Sequence, residues 1–529
     1  MKKPSDSTGK IAKSAGLVGI AVMCSRVLGL VREQVMAALF GAGTDYDSFV
    51  VAFRIPNLLR DLFGEGALSA AFVAVFSDYD TNKGAESTWQ LANNVIASIS
   101  VLVSSITLLG ILFAEPLVQL IAPDFGLIPG KVELTTKLTM IMFPFLIFVS
   151  MSAVIMGILN SKGRFFVPSI ASSFFNMGSI VGGVILAFIL PRFGQPAIVG
   201  MAIGTLIGGF LQMAGQCPSL LKTGFRFRPL VDFRDPGLRR VLTLMVPAII
   251  GLGATQINIF VNTNFASSCA EGSVSWLNYA FRLVQFPIGV FGVAVSIATM
   301  PVISRYAAMK DFKGIRETYV SALTMGFCLT IPATAGLFLL SETIIRVIFE
   351  HGQFTAFDTA RTAEALNFYV LGLFAYASVK ITVPVFYALD DTKFPVIGSF
   401  LAVAANIIMI LLTIDGMQHK AIAFSTSCAM FGNFIFLSIV LYRKLSGYSL
   451  SYLARGGGKV VFASLVMVGW LLLIQRLSGG SDLGLASEMA LLAFLVLSGA
   501  GVYAGVLYAS GLPELTILLD KVVLRLKRP

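Results

Sequence analysis

Predominantly apolar stretches of about 20 residues or more recur along the whole chain;. They fall at roughly 16–40, 48–76, 90–113, 136–159, 168–190, 197–220, 241–266, 274–303, 318–340, 364–388, 394–414, 420–442, 458–475 and 486–508, with short polar segments between them. About 20 apolar residues are what a helix needs to cross the hydrocarbon core of a bilayer. No stretch alternates apolar and polar positions as a half-buried strand would;. Because lipid admits only helices and closed barrels, the pattern predicts an all-α polytopic membrane protein of about 14 transmembrane helices. An even number of crossings places both termini on one side.

Composition agrees, and charge adds an orientation. The chain of 529 residues is 56% hydrophobic and 13% charged, outside the range of soluble domains;. Its lysines and arginines collect in alternate connections: the N-terminus (Lys2, Lys3, Lys10, Lys13), Lys162 and Arg164, Lys222 to Arg240, Arg305 to Arg316, Arg443 to Lys459, and the tail Lys521 to Arg528. The other face receives scattered charges such as Lys131, Arg192 and Lys420. The positive-inside rule therefore puts both termini in the cytoplasm. Most of the net charge of +11 is this topology signal, and no nucleic-acid partner is called for;. The first apolar run is too long for a cleaved signal peptide and carries two arginines, so it is read as a retained helix;. Five scattered cysteines and two histidines give neither a disulfide framework nor a metal or triad spacing;.

The first six spans and the next six look like copies. Ala52-Phe53-Arg54 matches Ala280-Phe281-Arg282 and Phe63-Gly64 matches Phe291-Gly292 at an offset of 228, while Leu159 and Asn176 match Leu389 and Asn406 at 230. A constant offset over more than 100 residues points to a duplication;. Six spans per copy give a parallel pseudo-repeat of two six-helix lobes, 1–225 and 226–445, followed by a C-terminal helix pair and tail in 446–529. Transporters with such repeats bind substrate near the midplane at the repeat interface.

Five arginines stand inside apolar spans: Arg26, Arg32, Arg54, Arg60 and Arg282. At about 2.5–3.5 kcal/mol each on insertion scales, facing lipid would cost roughly 10–17 kcal/mol. They must line something wet, and the planar, permanently charged guanidinium suits phosphate. Ser25, Gly29 and Arg32 share one helical stripe, whereas Arg26 lies on the stripe of Glu33, so an internal Arg26–Glu33 pair competes with a ligand role;. Arg32 has no acid on its own stripe. In the second span Asn57 and Arg60 share a face, Asp61 and Glu65 either neutralise or orient Arg60, and Pro56, Gly64 and Gly66 predict a hinge;. Ser275, Asn278, Arg282 and Gln285 form a polar stripe in the eighth span;.

Other motifs carry less. Lys380 inside the tenth span snorkels, pairs or couples, and the residues do not choose;. Gly178/Gly182 and Gly204/Gly208 read as helix packing. Arg455-Gly456-Gly457-Gly458-Lys459 lacks a preceding strand and reads as a linker, and Thr355 to Asp358 reads as a capping box;.

Together, Ser25 to Gly29, Phe40-Gly41-Ala42-Gly43, Pro56-Asn57-Leu58-Leu59-Arg60, Gly272 to Trp276 with Tyr279-Ala280 and Arg282-Leu283, and Gly352 to Asp358 resemble the MurJ (MviN) family of bacterial lipid II flippases, in the multidrug/oligosaccharidyl-lipid/polysaccharide exporter superfamily. The likeness covers essentially the whole chain. It implies two six-helix lobes, a V-shaped central cavity, and a last helix pair shaping a groove for an undecaprenyl tail. By motif, Arg26, Arg32, Arg60 and Arg282 match the family's essential cavity arginines, with Ser25, Asp47, Asn57 and Ser275 as polar positions beside them. Phe281 and Gln285 stand where some members carry acids, and no sodium site carries over, since helix eleven offers Asn406 but no carboxylate before Asp415.

The resemblance implies lipid II as substrate, moved from the cytoplasmic to the periplasmic leaflet of the inner membrane by alternating access, with no covalent chemistry and no cofactor. Coupling to membrane potential or an ion gradient stays open, as does contact with peptidoglycan synthesis machinery. The alternative is a flippase or exporter for another polyprenyl-pyrophosphate-linked oligosaccharide. An exporter of cations fits poorly with a cationic cavity. An intramembrane enzyme lacks an acid, histidine or metal cluster beside the arginines.

Overall fold

The computed structural model describes residues 4–63, 67–478 and 484–513, and every regular element among them is helical. Contacts divide the chain into two compact units, 1–275 and 276–529. The first holds α1 (Pro4–Phe40), α2 (Thr44–Phe63), α3 (Ala67–Asn82), α4 (Gly84–Leu112), α5 (Ala114–Ile121), α6 (Lys131–Met142), α7 (Phe145–Ser161), α8 (Phe166–Ile189), α9 (Ala197–Ala214), α10 (Cys217–Leu221), α11 (Pro236–Ser267) and the start of α12 (Ser273–Pro287). The second completes α12, passes through one π-helical turn at Ile288–Gly292, and continues with α13 (Val293–Ala308), α14 (Phe312–Leu339), α15 (Ser341–Phe349), α16 (Ala356–Leu371) and α17 (Leu373–Ala388). It ends with α18 (Lys393–Met417), α19 (His419–Lys444), α20 (Leu450–Leu477) and α21 (Leu485–Ala509).

Among the described residues, 11 helical segments are long and apolar enough to cross a membrane, or 12 if α16 and α17, bent by 42° at their junction, form one span. The segments outside that set are α1 and the α2–α3 pair, which carry the first four arginines and their acids. Counting both gives the 14 crossings of the apolar pattern. The pattern overlooked α5 and α15, two amphipathic helices of 8 and 9 residues that follow the long helices α4 and α14. The same order, long helix, short helix, helix, thus occurs once in each unit.

The first unit is centred on Leu68, Phe72, Phe76, Val95, Phe145, Val149 and Ile158, all essentially without solvent contact. Leu238, Val241 and Met245 of α11 belong to the same cluster. This is why the first compact unit runs past the repeat boundary at 225 to residue 275. In the second unit one cluster gathers Ile315, Tyr319, Ile381, Phe386 and Leu437, and another joins Cys328 of α14 to Val460, Met467, Leu495 and Leu507 of the last two long helices. The Tyr503 hydroxyl donates to the Cys328 carbonyl at 2.7 Å, so contacts make the C-terminal pair part of the second unit.

Local signals explain the helix ends. Asp235 accepts from the Leu238 N–H at 2.7 Å ahead of Pro236, and Asp311 accepts from Gly314 at 3.0 Å;. The capping box at Thr355 and Asp358 forms as expected;. The glycine pairs pack: a Cβ on Gly204 would stand 2.5 Å from the Gly183 Cα, and one on Gly208 2.5 Å from the Phe175 carbonyl oxygen;. The run Arg455 to Lys459 is no linker. It lies within α20, where a Cβ on Gly456 would come within 3.0 Å of Thr324, and Lys459 donates to the Ser510 carbonyl at 2.7 Å.

A long irregular segment, 222–235, is held by two adjacent asparagines of α4. Asn93 donates to the Arg226 carbonyl at 3.1 Å and accepts from the Arg228 N–H at 2.7 Å. Asn94 does the same at a single residue, donating to the Asp232 carbonyl at 2.9 Å and accepting from its N–H at 2.8 Å.

Candidate functional site

Four of the five arginines lie in the first unit, two on α1 and two on α2. Arg26 is exposed, while Arg32, Arg54 and Arg60 are half-buried. Against the stripe argument, Arg32 does have an acid: its guanidinium reaches the adjacent Glu33 at 3.0 Å, because an extended arginine spans the 100° between neighbours;. Glu33 is buried and also accepts from the Tyr46 hydroxyl of α2 at 2.6 Å. Phe175 of α8 lies beneath the Arg32 guanidinium at 5.3 Å;. The neighbouring Asn176 donates to the Ser25 carbonyl at 3.1 Å and fixes α1 against α8.

On α2, Arg60 donates through Nε and an outer nitrogen to one oxygen of Asp61, at 3.4 and 3.2 Å. The other oxygen accepts from Gln256 of α11 at 3.1 Å, so Asp61 holds the arginine and is itself held. Both side chains remain about 30% exposed, at 27% and 31%, which leaves the free edge of the guanidinium open to a ligand;. Asn57 is half-buried on the same face. Helix α2 runs without interruption through the buried Pro56 to Phe63. The other two hinge residues, Gly64 and Gly66, and Glu65 beside them, lie outside the described residues.

Asp47 and Ser275 sit elsewhere. The Asp47 carboxylate is buried and pairs with Lys131 of α6 at 2.9 Å, both side chains being 2% exposed. It also accepts from the N–H groups of Gly272 and Ser275 at 3.0 and 2.9 Å and from the Ser275 hydroxyl at 2.6 Å. The Lys131 ammonium lies 4.2 Å from the Phe125 ring centroid. The polar atoms of Asp47, Ser275 and Lys131 are thereby occupied by one another. Lys131 is no surface charge. Close by, Thr44 donates its N–H to Glu271 at 3.0 Å, and burial raises the Asp45 carboxyl above its ordinary value;. The nearby Cys269 thiol is pushed up to about 11, which makes it inert;.

In the second unit Arg282 is half-buried on α12 and Gln285 is exposed. Phe281 packs against Tyr369 at 5.3 Å and Tyr376 at 6.4 Å, as part of an aromatic wall. Lys380 is exposed on α17. No group of three or more metal-ligating side chains occurs among the described residues. The sequence could not single out Gln256, Tyr46 or Lys131, since each contributes through a partner on a distant helix.

Long apolar helices that carry half-buried arginines paired to adjacent acids define a polytopic membrane protein. The model of the lipid II flippase MurJ family matches residues 36–491, and the chain belongs to that family. Proteins named probable lipid II flippase MurJ are similar throughout. That of Vibrio cholerae is 35% identical over 513 residues, covering 92% of this chain and 96% of its own, and that of Bdellovibrio bacteriovorus is 32% identical over 509 residues, covering 96% of each. A solved lipid II flippase MurJ in an inward closed conformation superposes with a TM-score of 0.77 at 29% identity, covering 93% of this chain and 97% of that one. An inward-facing MATE multidrug transporter of the MOP superfamily shares the fold, with a TM-score of 0.67 at 14% identity, covering 80% of this chain and 94% of that one.

Proposed function

We propose that this protein flips lipid II, the undecaprenyl-pyrophosphate-linked peptidoglycan precursor, from the cytoplasmic to the periplasmic leaflet of the bacterial inner membrane. Family membership over the length of the chain supports the substrate. The observation that carries the mechanism is the pairing of Arg32 and Arg60 with the acids next to them. An arginine held on one edge by a carboxylate keeps its charge, stays oriented, and offers its remaining N–H groups to phosphate oxygens. Arg26, Arg54 and Arg282 complete the cationic set, and Asn57 and Ser25 line it. The pyrophosphate head follows this wet path while the prenyl tail stays in lipid.

The cycle is alternating access with both termini in the cytoplasm, and no bond is made or broken. Pro56 in α2 is where bending is expected. The membrane field, worth about 2.3 kcal/mol per elementary charge at 100 mV, acts on loaded and empty sites with opposite sign and is one route for coupling.

Arg32→Ala, Arg60→Ala and Arg282→Ala are each expected to abolish flipping at normal expression, and lysine at these sites to rescue only in part because it lacks the bidentate fork. The measurement is the leaflet distribution of lipid II in a depleted strain carrying each variant. Normal outward movement with all three alanine variants would overturn the proposal. Outward movement of a different polyprenyl-pyrophosphate oligosaccharide, with lipid II unaffected, would reassign the substrate.

A further inference from the structure

The second unit contains a cleft of about 640 Å³ that the arginine set on α1 and α2 does not use. One wall is the first turns of α14, where Lys313, Arg316 and Glu317 share a stripe;. The opposite wall is the turn from α19 to α20. There Ser446 and Gly447 adopt left-handed backbone, at φ 55° and 93°, and fold the chain back;. Tyr442 and Tyr452 flank the opening and are 39% and 38% exposed.

The chemistry of this cleft favours an anion. Two cations face one acid, and the Lys313–Glu317 contact is a loose 4.0 Å between side chains 84% and 70% exposed;. The Arg316 Nε is shut off from solvent and meets no acceptor among the described residues. Ser449 caps α20 by accepting from the Tyr452 N–H, so the positive end of a 28-residue helix opens onto the same space;. Hydroxyls of Ser446 and Ser449 add donors;.

Location narrows the ligand. Both α14 and α20 are candidate membrane spans, and the cleft lies at their N-terminal ends, where lipid headgroups reside. Tyrosine beside lysine and arginine is the interfacial pattern, and basic pockets between spanning helices hold acidic headgroups. Phe312 and Leu450, next in sequence to the lining residues Lys313 and Ser449, are 45% and 54% exposed and offer contact for acyl chains that a soluble anion would not need. We infer that this cleft, whose lining includes none of the five arginines, binds the phosphate of an anionic membrane phospholipid. The inference does not depend on the proposed substrate.

The test is native mass spectrometry of the full chain in detergent with phosphatidylglycerol or phosphatidylcholine of matched acyl chains. The wild type is expected to retain phosphatidylglycerol preferentially, and Lys313→Gln and Arg316→Gln each to lose ~5-fold of that retention. Arg476→Gln, at the far end of α20, serves as the control and is expected to bind as the wild type does. Glu317→Gln moves the other way and raises retention, which keeps the test decisive if an arginine variant fails to fold. Equal retention of the two lipids by the wild type overturns the site. So does unchanged phosphatidylglycerol retention in the Lys313, Arg316 and Glu317 variants. Stabilisation by inorganic phosphate equal to that by lipid also overturns it, in favour of a soluble anion.

Discussion

The two units tie helix starts together with different chemistry. Asp47 near the start of α2 pairs with Lys131, the first residue of α6, whereas Trp276 near the start of α12 meets Asp358, three residues past the cap of α16. In the first unit the acid is on the early helix and the cation on the later one, joined as a buried ion pair. In the second the acid is Asp358 on the later helix. One of its oxygens accepts from the Trp276 indole N–H at 2.9 Å, and the other accepts from the Thr355 N–H and hydroxyl at 3.0 and 2.8 Å. Two helix starts are thus fixed against each other in both units, by different means. An ion pair fails when either member is lost, whereas a capping acid retains partners in its own helix.

The sharpest way to break this comparison is Lys131→Met, which leaves the buried Asp47 carboxylate without its counter-charge. A loss of about 3–5 kcal/mol is expected, with recovery of much of it in the Asp47→Asn/Lys131→Met double variant. Thermal unfolding in detergent followed by a thiol-reactive dye reads this out, since the Cys328 side chain is buried until the fold opens. Equal stability of Lys131→Met and wild type would erase the distinction between the units.

Asp358→Ala should cost less, about 2 kcal/mol, because it removes a cap and one acceptor but strands no charge. Trp276→Phe keeps most of the packing with Phe357 at 5.8 Å and loses only the N–H donor, so a cost of about 1–2 kcal/mol is expected in the same assay;. A larger cost for Trp276→Phe than for Lys131→Met would reverse the ranking.

The smallest effect is at the basic faces. Asn82 and Arg240 hydrogen bonds hold the Asp78 carboxyl below its ordinary value of 3.8, and Lys444 does the same for Asp391. A depressed carboxylate contributes stability that is fully present above the unfolded value and lost as pH falls through the folded one. The difference in unfolding midpoint between wild type and Asp78→Asn should be constant from about pH 8 to 5 and vanish in strong acid. A difference that grows on acidification would show that the pairing is not what the exchange removes.

Much of this was legible in the sequence, for identifiable reasons. Span positions follow from hydropathy because lipid enforces it over 20 residues at a time. The Thr355–Asp358 cap follows from local spacing, but the second duty of Asp358 toward Trp276 does not. Arg32 was read as unpaired because a helical wheel ranks same-stripe neighbours and ignores the reach of a long side chain to the adjacent position. Lys131 was read as a stray surface charge because its partner is 84 residues away. Gln256 gave no signal, being one of four amides in α11 with Asn258, Asn262 and Asn264. The resemblance names Arg60 and Asp47 alike as site residues; the structure adds that Arg60 keeps a part-exposed side chain whereas Asp47 is buried among its partners.

Asn93 and Asn94 grip the 222–235 segment through its main chain alone. An amide side chain that both gives and takes a hydrogen bond imitates a neighbouring strand for the length of one residue. Such a grip does not read the identity of what it holds. Phe225 packs into the core, but the exposed side chains of Arg226, Phe227 and Val231 are released from the task of shaping the segment, and replacements there should leave its path unaltered. The same two amides form a ready anchorage: a reporter peptide or dye carried there would ride on a fixed rail, although the rail belongs to no helix.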